Sequence, residues 1–146
     1  MNIELFAAHD PRHALAVQLR FAVFVDEQGI PADIELDEFD RPDSAAVHAL
    51  VRNVEGEAIA AGRWFARDPR TAQIGRMVVL ARARGRGIGA LLLGSLLADA
   101  QRCGHVRAVL DAQEQAVGFY ARAGFRPYGT MHDDGGIAHQ PMERNL

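Results

Sequence analysis

The residues with the clearest chemical potential lie in a short turn of alternating arginine and glycine. Residues 82–89 read "RARGRGIG" and are followed at once by a leucine-rich run. Glycine has no Cβ, so the backbone at its three positions can come close to a bulky anion. These positions are Gly85, Gly87 and Gly89. Arginine guanidinium groups pair well with phosphate oxygens, and the stretch contributes Arg82, Arg84 and Arg86.

A helix that begins at this turn would strengthen the anion site. The first N–H groups of a helix have no partners within it, and they lie at the positive end of the helix dipole. The stretch does not match a Walker loop, because the lysine and hydroxyl residues after the glycines are missing. Its glycine spacing also differs from the dinucleotide fingerprint. The sequence therefore predicts a diphosphate-binding turn of another kind.

Two motifs carry a resemblance to a known family. Arg84, Gly87 and Gly89 fill the pattern R-x-x-G-x-G, which resembles the acyl-CoA pyrophosphate loop of the GNAT superfamily of N-acyltransferases. A later segment, "LDAQEQAVGFYARAGFRPYG", is similar to the family's strand, A-x-x-x-Y helix and G-F sequence. The matching positions of that segment are Ala116, Tyr120, Gly124 and Phe125. Gln113 stands where the family usually has asparagine.

The resemblance implies transfer of an acetyl group from acetyl-CoA, a co-substrate, to a primary amine in a ternary complex. It implies that Tyr120 is the general acid, since a phenol with a pKa of ~10 can protonate a thiolate of pKa ~8.5. The resemblance also implies that a backbone N–H near Met77, Val78 or Val79 polarises the thioester carbonyl. The residues that it implies around acetyl-CoA are Met77, Val78, Val79, Arg84, Gly85, Arg86, Gly87, Ile88, Gly89, Gln113, Phe119 and Tyr120. No metal is expected.

The general base is left open by the sequence. Many relatives carry a glutamate on the strand before the glycine turn, but Arg76 stands near that place here. The candidates are His139 in the last strand, His48 in the second strand, and Glu35 or Asp37 in the acidic segment at residues 30–45. A strand histidine is also often a packed, hydrogen-bonded residue.

An acidic segment at residues 30–45 contains a second likeness. Together with the preceding helix it is similar to the N-terminal pattern of acyl-homoserine-lactone synthases and to a bacterial GNAT subgroup of unassigned substrate. The residues of this pattern are Arg20, Phe24, Glu35, Asp37 and Asp40. We expect Arg20 to pair with an acid of the loop, leaving Glu35 or Asp37 to hold a cationic amine. A solvated acidic loop is the alternative.

The elements that position these residues follow from periodicity and from turn residues. Helices are predicted at 11–28, 88–103 and 114–124. Strands are predicted at 2–7, 46–54, 58–67, 72–80, 106–112, 125–131 and 137–144. This order predicts an α/β (α+β) GNAT fold with a mixed, mostly antiparallel sheet of about seven strands flanked by helices.

Composition limits the possible partners. The chain has 146 residues, a net charge of −3 and one cysteine, which favours a single domain over residues 1–146 in the cytoplasm. A broad basic surface for nucleic acid is missing, and no apolar run reaches the ~20 residues of a membrane span. The family resemblance also allows a homodimer. A non-catalytic acyl-CoA sensor remains an alternative to an enzyme, because Arg76 and Gln113 depart from the family pattern.

Overall fold

A computed structural model describes residues 1–146 as an eight-stranded sheet with three α-helices. The strand order is β1-β2-β3-β4-β5-β8-β6, and β7 also pairs with β8. The strands are β1 (Asn2–Ala7), β2 (Val47–Arg52), β3 (Ala58–Ala66), β4 (Thr71–Val79), β5 (Arg107–Gln113), β6 (Arg126–Pro127), β7 (His132–Asp134) and β8 (Ile137–Asn145). The helices are α1 (His13–Arg20), α2 (Ile88–Arg102) and α3 (Val117–Arg122). The predicted fold class is confirmed.

The helices cover both faces of the sheet because the strands alternate between two apolar faces. Ala49 and Val51 of β2 point to the larger core, which contains α2 and α3. Leu50, between them, points to a smaller core against α1. Period-two side-chain alternation explains why neighbouring residues of one strand enter different cores. No helix of the structure is long and apolar enough to cross a membrane.

The sheet opens between β4 and β5, its one parallel pair of neighbours. These strands pair only from Thr71 to Gln73 on the β4 side. Farther along, β4 carries an extra residue opposite β3, and Arg76 in this bulge has a left-handed φ of 51°. A bulge bends its strand and increases its twist. The result is a cleft between the two strands.

The helix predicted at 11–28 changes character halfway. After α1 the segment Phe21–Glu27 is π-helical, and Gln28 N donates to Val23 O, five residues back, at 2.9 Å. Gly29 then ends the segment with φ 75°. The predicted helix is therefore present, but its second half is wider than an α-helix.

The strand predicted at 125–131 is wrong as a single element. Only Arg126–Pro127 of this range form a strand, β6, and β7 (His132–Asp134) begins after the predicted range ends. The sheet therefore has eight strands and not about seven. Pro127 has no N–H for the ladder, and Gly129 between the two strands has a left-handed φ of 66°. Proline and glycine thus interrupt the pairing.

Candidate active site

A cavity of about 340 Å³ occupies the cleft between β4 and β5. The end of the π-helical segment, the acidic segment and the β7–β8 turn close its sides. Residues of β4 and β5 that line it are Gln73, Ile74, Gly75, Arg76, Met77, Leu110, Asp111 and Gln113. The sheet itself therefore forms the walls of the site.

The glycine turn presents a run of free backbone amides. The N–H groups of residues 85–90 make no hydrogen bond within the protein, and the first helical bond runs from Leu91 N to Gly87 O at 3.1 Å. Gly85 and Gly87 have φ of 79° and 77°, a left-handed conformation that residues with a Cβ rarely adopt. Six consecutive donors at the N-terminus of α2 are suited to a diphosphate.

The three glycines of the turn have different structural roles. A Cβ at Gly85 or Gly87 would meet nothing within 4 Å, so these two positions require glycine for its backbone conformation. A Cβ at Gly89 would lie 3.3 Å from the ring of Phe119. Gly89 therefore allows α3 to pack against the start of α2, which differs from the expected close approach to phosphate.

The arginines of the turn differ in what they contact. Arg84 donates to both oxygens of Glu27, at 2.7 and 2.8 Å, and to Val79 O at 2.9 Å. Arg82 pairs with Glu57 at 2.7 Å. Arg86 is exposed and forms no ion pair. Two of the three guanidinium groups expected to pair with phosphate are therefore already engaged with carboxylates.

Tyr120 lies where the sequence places it, beside the cavity. Its side chain is 9% exposed, and it lines the cavity together with Met77. Burial raises the pKa of Tyr120 to about 12. The phenol is therefore protonated throughout the neutral range, as a proton donor must be. Phe119 packs edge-on against it at 5.0 Å between ring centroids.

Gln113 joins the cleft to the end of the π-helical segment. Gln28 Nε2 donates to Gln113 Oε1 at 3.1 Å, and Gln113 Nε2 donates to Gln28 Oε1 at 2.8 Å. The neighbouring residue Glu27 holds Arg84 on the other side of the cleft. Residues 27 and 28 thus connect to both sides of the opening in the sheet.

Of the three residues expected at the end of β4, Met77 and Val79 pack on the α2 side of the sheet and Val78 packs on the α1 side. Met77 lines the cavity, and Gly62 on β3 leaves room for its side chain, since a Cβ there would lie 2.8 Å from the sulfur. Val78 is buried in the α1-side core, so its side chain is a packing residue. Val79 offers its carbonyl to Arg84.

The two candidate bases lie in different surroundings. His139 is 9% exposed and lines the cavity; its Nδ1 lies 2.8 Å from Ile137 O, and its Nε2 has no hydrogen-bond partner. His48 is 1% exposed and does not line the cavity. Burial lowers the pKa of His48 to about 4, and its Nε2 lies 3.0 Å from Phe39 O. The structure therefore separates His48 from the site, because its ring is a packed, hydrogen-bonded part of the core.

Three acids of the acidic segment, Glu35, Asp37 and Asp40, are held by arginines, although most of the segment is exposed. A fully solvated acidic loop is therefore not what the structure shows. Arg20, 1% exposed, donates to Glu35 Oε2 at 2.9 Å and to the two oxygens of Asp40 at 2.6 and 2.9 Å. Burial raises the pKa of Asp40, but hydrogen bonds from Arg20 outweigh it and lower this pKa well below its usual range. The expected pairing of Arg20 with the segment is present.

The carboxylates expected to be left for an amine are occupied by arginines. Arg63 forms a bidentate ion pair with Asp37, and Arg76 Nη2 lies 3.4 Å from Asp37 Oδ2. Glu35 is only 3% exposed and contacts Arg76 Nε at 2.9 Å. The assignment of Glu35 and Asp37 as free amine ligands is therefore wrong in this structure. Their charges are neutralised by neighbouring guanidinium groups.

Sequence reasoning missed Arg63, which is 3% exposed and lines the cavity. Its signal is a charged residue in the apolar strand "AIAAGRWFA". A buried charge requires partners, and these are Asp37, with Asp40 at 3.6 Å. Burial lowers the pKa of Arg63, although Asp37 opposes this effect.

Three residues at the base of this network resemble a metal site in composition. The possible ligand atoms of His13, Asp40 and His48 lie within 4.8 Å of one another. Both Asp40 oxygens accept from Arg20. The Nε2 of His48 faces a carbonyl oxygen at 3.0 Å and must carry the proton there. The cluster is therefore explained by hydrogen bonding within the protein.

Comparisons with known proteins agree with this geometry. Residues 30–146 match the family described as "Acetyltransferase (GNAT) domain". The "Uncharacterized N-acetyltransferase YjcF" of Bacillus subtilis (strain 168) is 34% identical over 131 residues, covering 89% of this chain and 90% of that protein.

Solved structures share the whole fold. A candidate N-acetyltransferase from Lactobacillus plantarum superimposes with a TM-score of 0.89 at 26% identity, covering 100% of this chain and 99% of that one. An acyl-CoA N-acyltransferase from Pseudomonas aeruginosa gives 0.84 at 28% identity, covering 98% of both chains.

Proposed function

The chain belongs to the acetyltransferase (GNAT) domain family and is an acyltransferase; from this premise we propose that it transfers the acetyl group of acetyl-CoA to a primary amine. The acceptor is a small molecule or peptide, and the amine attacks directly in a ternary complex. The observation that carries this proposal is the run of six free amides at residues 85–90 beside an open cleft.

The amides of the glycine turn would hold the diphosphate of acetyl-CoA, with Arg86 as the accompanying cation. The cleft next to Met77 and Gln113 would receive the pantetheine arm and bring the thioester toward Tyr120. Arg84 supports this site indirectly, because it holds the turn to Glu27 and to the end of β4.

The chemistry requires a neutral nitrogen and two proton transfers. The C–N bond forms as the C–S bond breaks; the amine proton goes to His139, and the thiolate takes a proton from Tyr120. The free Nε2 of His139 in the cavity supports its role as the base. A backbone N–H of β4 near Met77 would stabilise the charge on the carbonyl oxygen.

Release of free thiol from acetyl-CoA, measured with a panel of alkyl amines, arginine-like compounds and peptides, tests the proposal. Replacing Tyr120→Phe removes the proton donor but keeps the ring, so kcat should fall by about 10²-fold or more. CoA binding should be nearly unchanged. Amine-independent thiol release, or equal kcat in both proteins, would contradict the assignment.

A non-catalytic acyl-CoA sensor is the second candidate. It is favoured by Arg76, which neutralises acids at the place where many relatives carry a base. CoA binding without amine-dependent thiol release would select this function. The acyl-homoserine-lactone synthase likeness receives no separate support, because Arg20, Glu35 and Asp40 are explained by their mutual ion pairs. A homodimer and a cytoplasmic location remain predictions from the sequence.

A further inference from the structure

The charged groups that line the cavity do not balance one another. Four carboxylates line it, but only two guanidinium groups do, those of Arg63 and Arg76. Both guanidinium groups are engaged with Glu35 or Asp37. The two remaining carboxylates are those of Asp111 on β5 and Asp134 on β7.

Asp111 and Asp134 are free to bind a ligand. Both side chains are exposed at the cavity, and neither takes part in any ion pair or side-chain hydrogen bond of the structure. They come from separate strands on opposite sides of β8, since β5 and β7 both pair with it. Their meeting at one cavity is a consequence of the fold and not of sequence proximity.

A third residue of the same cavity also lacks a partner. His139 is nine-tenths buried, and its Nε2 makes no hydrogen bond. It lies on β8 between the two carboxylates, opposite Gln113 on β5 and His132 on β7. An unpartnered ring nitrogen on a largely buried side chain at a cavity wall is suited to a polar ligand.

We infer that the acceptor carries a second, non-reacting cationic group and that Asp111 and Asp134 bind it. This inference rests on the proposed function and specifies its substrate class as diamines or larger polycations. The reacting amine must lose its proton before attack, so it cannot be held by charge throughout the transfer. A second ammonium or guanidinium group keeps its charge and can remain paired with a carboxylate.

The test compares binding of alkyl diamines, from 1,3-diaminopropane to 1,6-diaminohexane, with binding of the matched monoamines. Calorimetry is performed with and without excess coenzyme A, so the result does not depend on turnover. At least one diamine should bind about fivefold tighter than its monoamine, as expected for one partly exposed ion pair. This preference should decrease with added salt.

The variants Asp111→Asn and Asp134→Asn should each weaken diamine binding by about threefold to fivefold, with a smaller effect on the monoamine. Asp133→Asn is the matched control, because Asp133 is exposed on the same strand but does not line the cavity. Urea denaturation of each variant confirms that it is folded.

The possible failures are distinguishable. Equal binding of diamines and monoamines, or an equal loss in Asp133→Asn, would overturn the inference while leaving the acetyltransferase proposal intact. Diamine binding that depends on Asp111 and Asp134, without thiol release from acetyl-CoA, would support the cation site at these two residues but overturn the proposed catalysis.

Discussion

Replacing Arg20→Met should destabilise the fold strongly, because Arg20 neutralises two carboxylates inside the protein. The guanidinium donates four hydrogen bonds, three to carboxylate oxygens of Glu35 and Asp40 and one to Glu35 O. Methionine keeps much of the volume but none of these donors. The change therefore isolates the electrostatic role of Arg20.

The expected loss in the free energy of unfolding is about 3 kcal/mol, the lower part of the 3–5 kcal/mol range for a broken buried ion pair. The lower part applies because both carboxylates keep other partners. Glu35 keeps its ion pair with Arg76 Nε at 2.9 Å. Asp40 keeps its hydrogen bonds with His13 Nε2 and with the N–H of Asp37, both at 3.0 Å. A typical domain is stable by about 5–15 kcal/mol, so the variant should still fold.

Urea denaturation followed by circular dichroism measures this loss. The matched control is Arg12→Met, because Arg12 pairs with Asp10 and Glu4 at the surface. This variant should lose much less stability than Arg20→Met, since solvent screens exposed ion pairs. A double-mutant cycle with Asp40→Asn should give a coupling energy of about 2 kcal/mol. If Arg20→Met does not fold, Arg20→Lys provides the weaker perturbation for the same cycle.

A loss below about 1 kcal/mol for Arg20→Met would refute the reasoning. So would a variant of full stability whose acceptor KM alone rises, since that result would place Arg20 in substrate binding. Either outcome would restore the sequence-based hypothesis that this N-terminal pattern serves the substrate.

Three further predictions concern His48, the glycines of α2 and the arginines of the turn. Folding lowers the pKa of His48 from 6.5 to about 4, so the unfolded state binds more protons than the folded state between these pH values. The free energy of unfolding should therefore decrease by up to about 3 kcal/mol as the pH falls through this window. In His48→Gln, the midpoint of urea denaturation should depend less on pH. Gly87→Ala should lower the free energy of unfolding by about 1 kcal/mol, because alanine is strained at a φ of 77°. The same change should weaken CoA binding. A Cβ at Gly94, inside α2, would meet nothing within 4 Å. Gly94→Ala should therefore raise the free energy of unfolding, measured by urea denaturation, by about 0.5–1 kcal/mol. Arg86→Gln should weaken CoA binding by about fivefold in calorimetry, more than Arg82→Gln, because Arg82 is already paired with Glu57; equal effects would contradict this assignment.

Much of the fold could be predicted because its signals are local. The apolar run after Ile88 and the turns around β2, β3 and β4 fix those elements through short-range periodicity and turn chemistry. The position of β7 could not be predicted as easily, because it depends on which residues of β8 lie opposite. The π-helical turn depends on hydrogen bonds across five residues, which apolar spacing does not reveal.

The candidate site divides in the same way. The free amides of the glycine turn follow from local sequence, since any helix start leaves such donors. The pairing of Asp37 with Arg63 joins residues 26 positions apart, and that of Arg84 with Glu27 joins residues 57 apart. Composition indicates that acids and arginines are present but not which of them neutralise each other. That choice decides which carboxylates remain free for a substrate.

The central claim is that the amides of residues 85–90 bind the diphosphate of coenzyme A. Titration of the ¹⁵N-labelled protein with coenzyme A, followed by NMR and calorimetry, tests it most directly. The account predicts saturable binding in which the amide signals of residues 85–90 shift more than those of the exposed β2–β3 turn around Gly56. No binding at millimolar coenzyme A, or binding that leaves these amide signals unchanged, would contradict it.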